Sequence, residues 1–232
     1  MCSIGIRSYV LGAVCLLAGA AWAGAADAEG FVSLFNGKDL AGWDGEPKLW
    51  FVKDGAIIGK TTPENKTSGT YLICKQQVPD DFELHASFKL LSGNSGIHYR
   101  TRELPKWQVA GYQADMDYQN QYTGIVYEVG GRAILVGLGE KVAGDATGKK
   151  AVVGSVGEAA KIKAAVRKDE WNEYVITAQG NHFVQKINGV TTAEFTDQKS
   201  PKSGIIAFQL HPGPPMEVQF KDVRVKELKD AN

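Results

Sequence analysis

From Asp81 to Leu90 apolar and polar residues alternate without a break, the clearest part of the run that ends at Leu91. Phe82, Leu84, Ala86, Phe88 and Leu90 fall on one face, and Glu83, His85, Ser87 and Lys89 on the other. A period of two predicts a half-buried strand of an antiparallel sheet, with His85 an outward residue. Tight-turn signals separate further β-prone runs. Asp54-Gly55 lies between WFVK and AIIGK, and Asn188-Gly189 between HFVQKI and VTTAEF. Both read as hairpins, because Asn, Asp and Gly adopt the left-handed backbone of a two-residue turn most easily. Gly130-Gly131-Arg132 divides IVYEV from AILV in the same way, and Asn36-Gly37 and Asp44-Gly45 read as turn chemistry.

TYLICKQQ, WNEYVITAQG, SGIIAFQL and EVQFKDVRVKEL supply more strands. The apolar parity of the last run shifts between Phe220 and Val223, which predicts a β-bulge near Asp222. GDATGKKAVVGSVG reads as a loop, and GLGEK lacks the spacing of a phosphate-binding loop. One short helix is predicted over Glu158 to Val166, with Ser155 and Glu158 as a capping box. Trp43, Trp50 and Trp171 read as core aromatics. Together these signals predict an all-β fold, an antiparallel β-sandwich or jelly roll with one short helix near 158–166; a closed barrel is the alternative.

At the N-terminus Arg7 precedes an apolar run from Tyr9 to Ala21, and Ala21-Trp22-Ala23 gives a small-x-small cleavage pattern. Residues 1–23 therefore read as a signal peptide and 24–232 as one domain, exported to the periplasm or the extracellular space. No later stretch approaches the ~20 apolar residues of a transmembrane helix. Cys2 and Cys15 leave with the signal, so Cys74 has no partner for an intrachain disulfide and reads as a small buried hydrophobe. The domain must then rest on a large apolar core, which 44% hydrophobic residues can furnish. Twenty-six basic side chains balance 26 acidic ones with no basic patch, which argues against nucleic acid and anionic membrane as partners. A neutral ligand such as a sugar fits that balance; the oligomeric state is left open.

Ser92 to Asp117, SGNSGIHYRTRELPKWQVAGYQADMD, concentrates the chemistry. Alternation puts Asn94, His98 and Arg100 on one face of a first segment, and Gln113, Asp115 and Asp117 on one face of a second. The proline-bearing ELPKWQV reads as the connection. If the segments pair, a histidine, an arginine and two carboxylates meet on one surface.

FVSLFNGKDLAGW, WFVKDGAIIG, DFELHASF, GNSGIHYR, GYQADMD, YTGIVYE, EWNEYVI, INGV and GIIAFQLHPGPPMEVQFKDVRVKEL occur in this order. Together they resemble the 3-keto-disaccharide hydrolase domain over nearly the whole mature chain. The resemblance implies a concanavalin-like β-sandwich, and cleavage of glycosides already oxidised to a ketone at C3. Such a ketone acidifies the C2 hydrogen, so a base can form the enolate and expel the C1 group, after which water adds.

That route needs a base, an enolate stabiliser and an acid for the leaving group. His98, Asp115 or Asp117 is the expected base, and a carboxylate can serve if burial or a like charge lifts its pKa. Arg100, with Gln113, is the expected oxyanion partner, and Tyr112 and Tyr127 are expected to pack on the sugar. His211 is a further catalytic candidate, and Asn94, Glu128 and Gln209 are expected to bind substrate. No cofactor is assigned outright, and His98, Asp115, Asp117, Glu128 and His211 are donor types that suit a divalent metal ion polarising the ketone. A non-catalytic, lectin-like carbohydrate-binding module is the alternative reading.

Overall fold

The structure, a computed structural model, describes residues 26–229. The signal-peptide expectation, with Cys2 and Cys15, lies outside the described residues. The chain forms β1 (Val32–Ser33), β2 (Trp43–Asp44), β3 (Trp50–Lys53), β4 (Ala56–Lys60), β5 (Thr70–Cys74), β6 (Phe82–Ser92), β7 (Asn94–Leu104), β8 (Gln108–Asp117) and β9 (Val126–Val129). It continues through β10 (Ala133–Val136), β11 (Glu140–Gly144), β12 (Lys150–Ser155) and helix α1 (Ala159–Ala165). It closes with β13 (Asn172–Gln179), β14 (His182–Ile187), β15 (Val190–Asp197), β16 (Ile205–Leu210) and β17 (Glu217–Glu227).

The strands build a two-layer sandwich and not a barrel. A ten-stranded sheet runs β12-β11-β15-β14-β13-β6-β17-β4-β3 with β1 added on β17, and a seven-stranded sheet runs β10-β9-β8-β7-β16-β5-β2. Neighbours are antiparallel except β11 and β15, which are parallel. The core lies between the sheets, where Leu84, Phe88, Phe183 and Phe220 of one meet Leu72, Tyr99, Tyr112 and Phe208 of the other. Phe208 and Phe220 stack across it with ring centroids 3.9 Å apart. Cys74 is buried in this core, and burial pushes its thiol up to about 11, which keeps it protonated and inert.

Local chemistry explains most elements. Phe82 to Leu90 alternate buried and half-buried as the pattern requires. Asp54 and Gly55 have φ of 51° and 74°, Asn188 and Gly189 of 49° and 80°, so both hairpins carry the turn that their residues favour. Asp222, at φ 51°, marks the expected bulge in β17.

Three expectations are corrected. The loop read over 144–157 contains β12, an edge strand paired only with β11. Its six residues are all exposed, so it has no buried face and leaves no alternation to detect. The helix spans Ala159–Ala165 without a capping box: the Ser155 hydroxyl donates to backbone carbonyls of Gly139 and Gly157, and Glu158 makes no side-chain cap. Trp171 is not core but half-buried on the surface, with the Lys89 and Lys221 ammoniums 5.5 and 4.6 Å from its ring centroid.

The fourth correction concerns Arg100. β7 carries a one-residue bulge between Tyr99 and Arg102, with Arg100 at φ 46°. The extra residue removes Arg100 from the face of Asn94 and His98. Gly204 passes so close that a Cβ there would sit 2.5 Å from the Arg100 carbonyl carbon, so only glycine fits. The guanidinium is buried and donates to the Asp80, Gly180 and Pro201 carbonyls at 2.9, 2.6 and 2.9 Å, and to Asp81 Oδ1 at 2.7 Å. Arg100 is a structural clamp, remote from ligand. Arg100→Met should destabilise the fold by about 3 kcal/mol in a denaturant melt, because it orphans buried acceptors.

Candidate functional site

The outer face of the seven-stranded sheet is set by register. Gly96 pairs with Asp115, His98 with Gln113, and Asn94 with Asp117, while Gln113 pairs onward with Tyr127 of β9. On the other side Ala207 of β16 opposes His98, and Gln209 opposes Tyr71 of β5. Residues in register share a face, so Tyr71, Gln209, Gln113, Asp115 and Tyr127 rise from four strands onto one surface. They line a cleft of about 490 Å³ together with Asn94, Gln108, Tyr122, Ile125, Ile134, His211 and Pro212. That size suits a small sugar-like ligand.

A chain of hydrogen bonds crosses the floor. Asn94 Nδ2 donates to Asp115 Oδ1 at 2.9 Å, and Gln113 Nε2 donates to Asp115 Oδ2 and to Gln209 Oε1, both at 3.1 Å. Gln209 Nε2 in turn donates to the Tyr71 hydroxyl oxygen at 3.3 Å. Tyr71 keeps its own hydrogen for another acceptor, and burial raises its pKa, so the phenol stays a donor. Gln113 Oε1 is buried with no partner in good hydrogen-bond geometry, and the group beside it is the His98 ring of the paired strand, whose nitrogens are likewise unpaired.

Asp115 is 6% exposed, and burial lifts its pKa to about 7; the charge of Asp117 adds to the rise, and the hydrogen bond from Asn94 opposes it. Two amides thus hold a carboxyl group poised to exchange a proton near neutrality. At the rim His211 Nδ1 lies 2.7 Å from the Pro212 carbonyl. A carbonyl only accepts, so Nδ1 carries the hydrogen and Nε2 of the neutral ring presents a lone pair.

The structure therefore gathers Asn94, Gln113, Asp115, Tyr127, Gln209 and His211 and leaves out five other expected site residues. His98 lies fully buried edge-on against Tyr71, 4.8 Å between centroids, and burial drops its pKa to about 3. Neither ring nitrogen has a hydrogen-bond partner. It is a neutral packing residue under the cleft and no base. Arg100 is the clamp described above. Tyr112 neighbours Gln113 in the strand, so it faces inward, where it donates to Asp197 and packs on Phe183 and Phe195. Glu128, neighbour of Tyr127, also turns away and is bound to Arg132, which joins it to Asp197. Asp117 Oδ1 accepts the Tyr122 and Thr123 amides at 2.6 and 3.1 Å and so closes the 117–123 loop.

Of the five expected metal donors, only Asp115 and His211 reach the cleft. Among the described residues no three His, Cys, Asp or Glu side chains form a cation-holding group. This donor set does not fit a metal ion held by the protein alone. Tyr71 and Tyr122 were missed. Tyr71 sits in a strand legible only as scaffold, and Tyr122, 48% exposed, sits in a polar loop.

The raised pKa of Asp115 has a stability consequence. Below about pH 4 the carboxyl is protonated in both folded and unfolded chains; between about 4 and 7 only the folded chain keeps its proton, so stability falls as pH rises and then levels off. Asp115→Asn should therefore melt higher than the parent above pH 7, with the gain vanishing near pH 4 in melts across pH.

The family profile described as the 3-keto-alpha-glucoside-1,2-lyase-like domain matches residues 30–226. Among curated proteins no sequence relative is found. A protein from Parabacteroides distasonis described as a glycosyl hydrolase candidate superposes with a TM-score of 0.56 at 21% identity, covering 87% of this chain and 95% of its own. A carbohydrate-binding module from Bacillus subtilis gives 0.53 at 11% identity, covering 80% and 96%. A Bacillus subtilis protein with a galectin-like fold gives 0.50 at 10% identity, covering 81% and 90%. At these identities the neighbours establish the galectin-type sandwich and nothing finer, whereas the profile spans almost every described residue: the chain belongs to the 3-keto-alpha-glucoside-1,2-lyase-like domain family.

Proposed function

We propose that the cleft cleaves 3-keto-glycosides by removing the C2 proton and expelling the C1 group. The observation that carries this reading is Asp115, a buried carboxyl group with its pKa near 7, facing a sugar-sized cleft. Its carboxylate takes the C2 proton, the C2–H electrons form the C2=C3 bond of an enolate with the charge on the C3 oxygen, and the enolate collapses to the ketone and a C1=C2 double bond as the C1–O bond breaks. The Tyr71 hydroxyl, and the second Nδ2 hydrogen of Asn94, stabilise negative charge on the C3 oxygen. They replace Arg100 in that role. His211, when protonated on both nitrogens, delivers a proton from Nε2 to the departing oxygen. Tyr127 and Tyr122 at the rim pack against the ring, and Gln113 and Gln209 hold its hydroxyls. Water then adds to C1 of the enone to complete hydrolysis.

A soluble sugar ligand and export from the cytoplasm belong to the same proposal. No described helix is long and apolar enough to cross a membrane.

The experiment offers the purified mature chain a 3-keto-glucoside with a chromogenic leaving group, beside the unoxidised glucoside. Release should occur from the keto substrate alone and should rise with pH through about 7, as Asp115 ionises. Asp115→Asn should lower it about 10²–10⁴-fold. A chelator arm reports any cation shared by Asp115, His211 and the substrate. Tight sugar binding with no release from either substrate would sink the enzymatic reading and leave a carbohydrate-binding module, the activity class of one structural neighbour.

A further inference from the structure

The opposite face of the sandwich carries a second cleft, of about 450 Å³, on the ten-stranded sheet. Its floor is a row of residues in direct register across four strands. Lys89 of β6 opposes Gln219 of β17, Gln219 opposes Ile58 of β4, and Ile58 opposes Phe51 of β3. Trp171 continues the row beyond Lys89, since its neighbour Asn172 opposes Phe88. The row therefore runs perpendicular to the strands with an aromatic ring at each end, about 19 Å apart at four interstrand spacings. Phe51 is 40% exposed although it is large and apolar, so this end of the trough is left open to solvent.

The charges give the ligand its sign. Lys53, Lys60 and Lys89 line the cleft against Asp54 and Glu217. Glu217 is already paired with Lys60 at 2.8 Å and accepts from Gln219 at 3.0 Å. Lys53 and Lys89 have no carboxylate within ion-pair distance among the described residues. The Lys89 and Lys221 ammoniums lie over the Trp171 ring, so an acidic group arriving there meets two positive charges, and a sugar stacks on the ring by moving these flexible side chains aside.

We infer that this trough is a second carbohydrate site, which binds an extended anionic oligosaccharide, a uronate or sulfated chain, across the strands. The aromatic ends take the apolar faces of sugar rings, Gln219 hydrogen-bonds hydroxyls between them, and Lys53 and Lys89 pair with the acid groups. The site is independent of the reaction assigned to the first cleft and would hold the protein on an acidic glycan.

Calorimetric titration of the mature chain with an oligogalacturonate, and with a neutral malto-oligosaccharide of equal length, tests it. The acidic chain should bind and the neutral one weakly or not at all, and the difference should shrink at high salt. Trp171→Ala and, as a milder change, Lys89→Gln should each weaken binding about tenfold, a loss typical of one stacking or charged contact. Lys202→Ala, an exposed lysine elsewhere, and Asp115→Asn should leave it unchanged. Melting curves of the variants check that each is folded. No binding of the acidic chain, equal binding of the neutral one, unchanged affinity in folded Trp171→Ala and Lys89→Gln, or loss in Asp115→Asn would each overturn the assignment.

Discussion

Four hydrogen bonds from the Arg100 guanidinium tie together the Asp80-Asp81 turn, the β13–β14 turn at Gly180 and the segment before β16. The bulge that delivers Arg100 to that junction also fixes the parity of β7. Before the bulge, Asn94, Gly96 and His98 face outward; after it the alternation restarts one residue out of step. A strand without the bulge would carry the arginine into the cleft and leave the carbonyls of Asp80, Gly180 and Pro201 without their donor. Charged hydrogen bonds of this kind contribute about 1.5–3 kcal/mol each, so the junction and the face of the site are fixed by one interaction.

The outer surface of the seven-stranded sheet then has a simple logic. Its floor is amide and phenol, and the one carboxyl among them, Asp115, is buried. Burial without a counter-charge is what holds that group near neutrality, since two arginines of the same sheet are engaged elsewhere: Arg100 with Asp81, and Arg132 with Glu128 and Asp197. An arginine in the cleft, as parity alone expects, would have favoured the ionised form and lowered the pKa. The structural role of Arg100 and the proton-exchanging role proposed for Asp115 thus depend on one another.

Much of the fold was legible because its signals are local. The alternation in β6, the Asx-Gly hairpins at Asp54 and Asn188 and the parity shift at Asp222 each depend on a few neighbouring residues. The core of the site was legible for the same reason: strand parity alone groups Gln113 with Asp115, and Gln209 with His211. Tyr112 and Glu128 failed where that rule was relaxed, since each adjoins a residue assigned to the same face, and adjacent strand residues cannot share one. Arg100 failed because its bulge is specified at a distance, by Gly204 against the backbone and by acceptors 19 to 101 residues away. Tyr71 was hidden because its value lies in the register of β5 with β16, and β12 because an edge strand exposed on both faces has no periodicity.

The central claim is that a carboxylate in this cleft removes the C2 proton of a 3-keto-glycoside. The most direct measurement is the rate of leaving-group release from a 3-keto-glucoside bearing deuterium at C2, compared with the protium substrate, with solvent exchange at C2 followed by NMR. The account predicts either slower release of the deuterated substrate or loss of its label to water before cleavage, and neither in Asp115→Asn. Release at equal rates with the deuterium retained at C2 would contradict it, because cleavage would then proceed without breaking that bond.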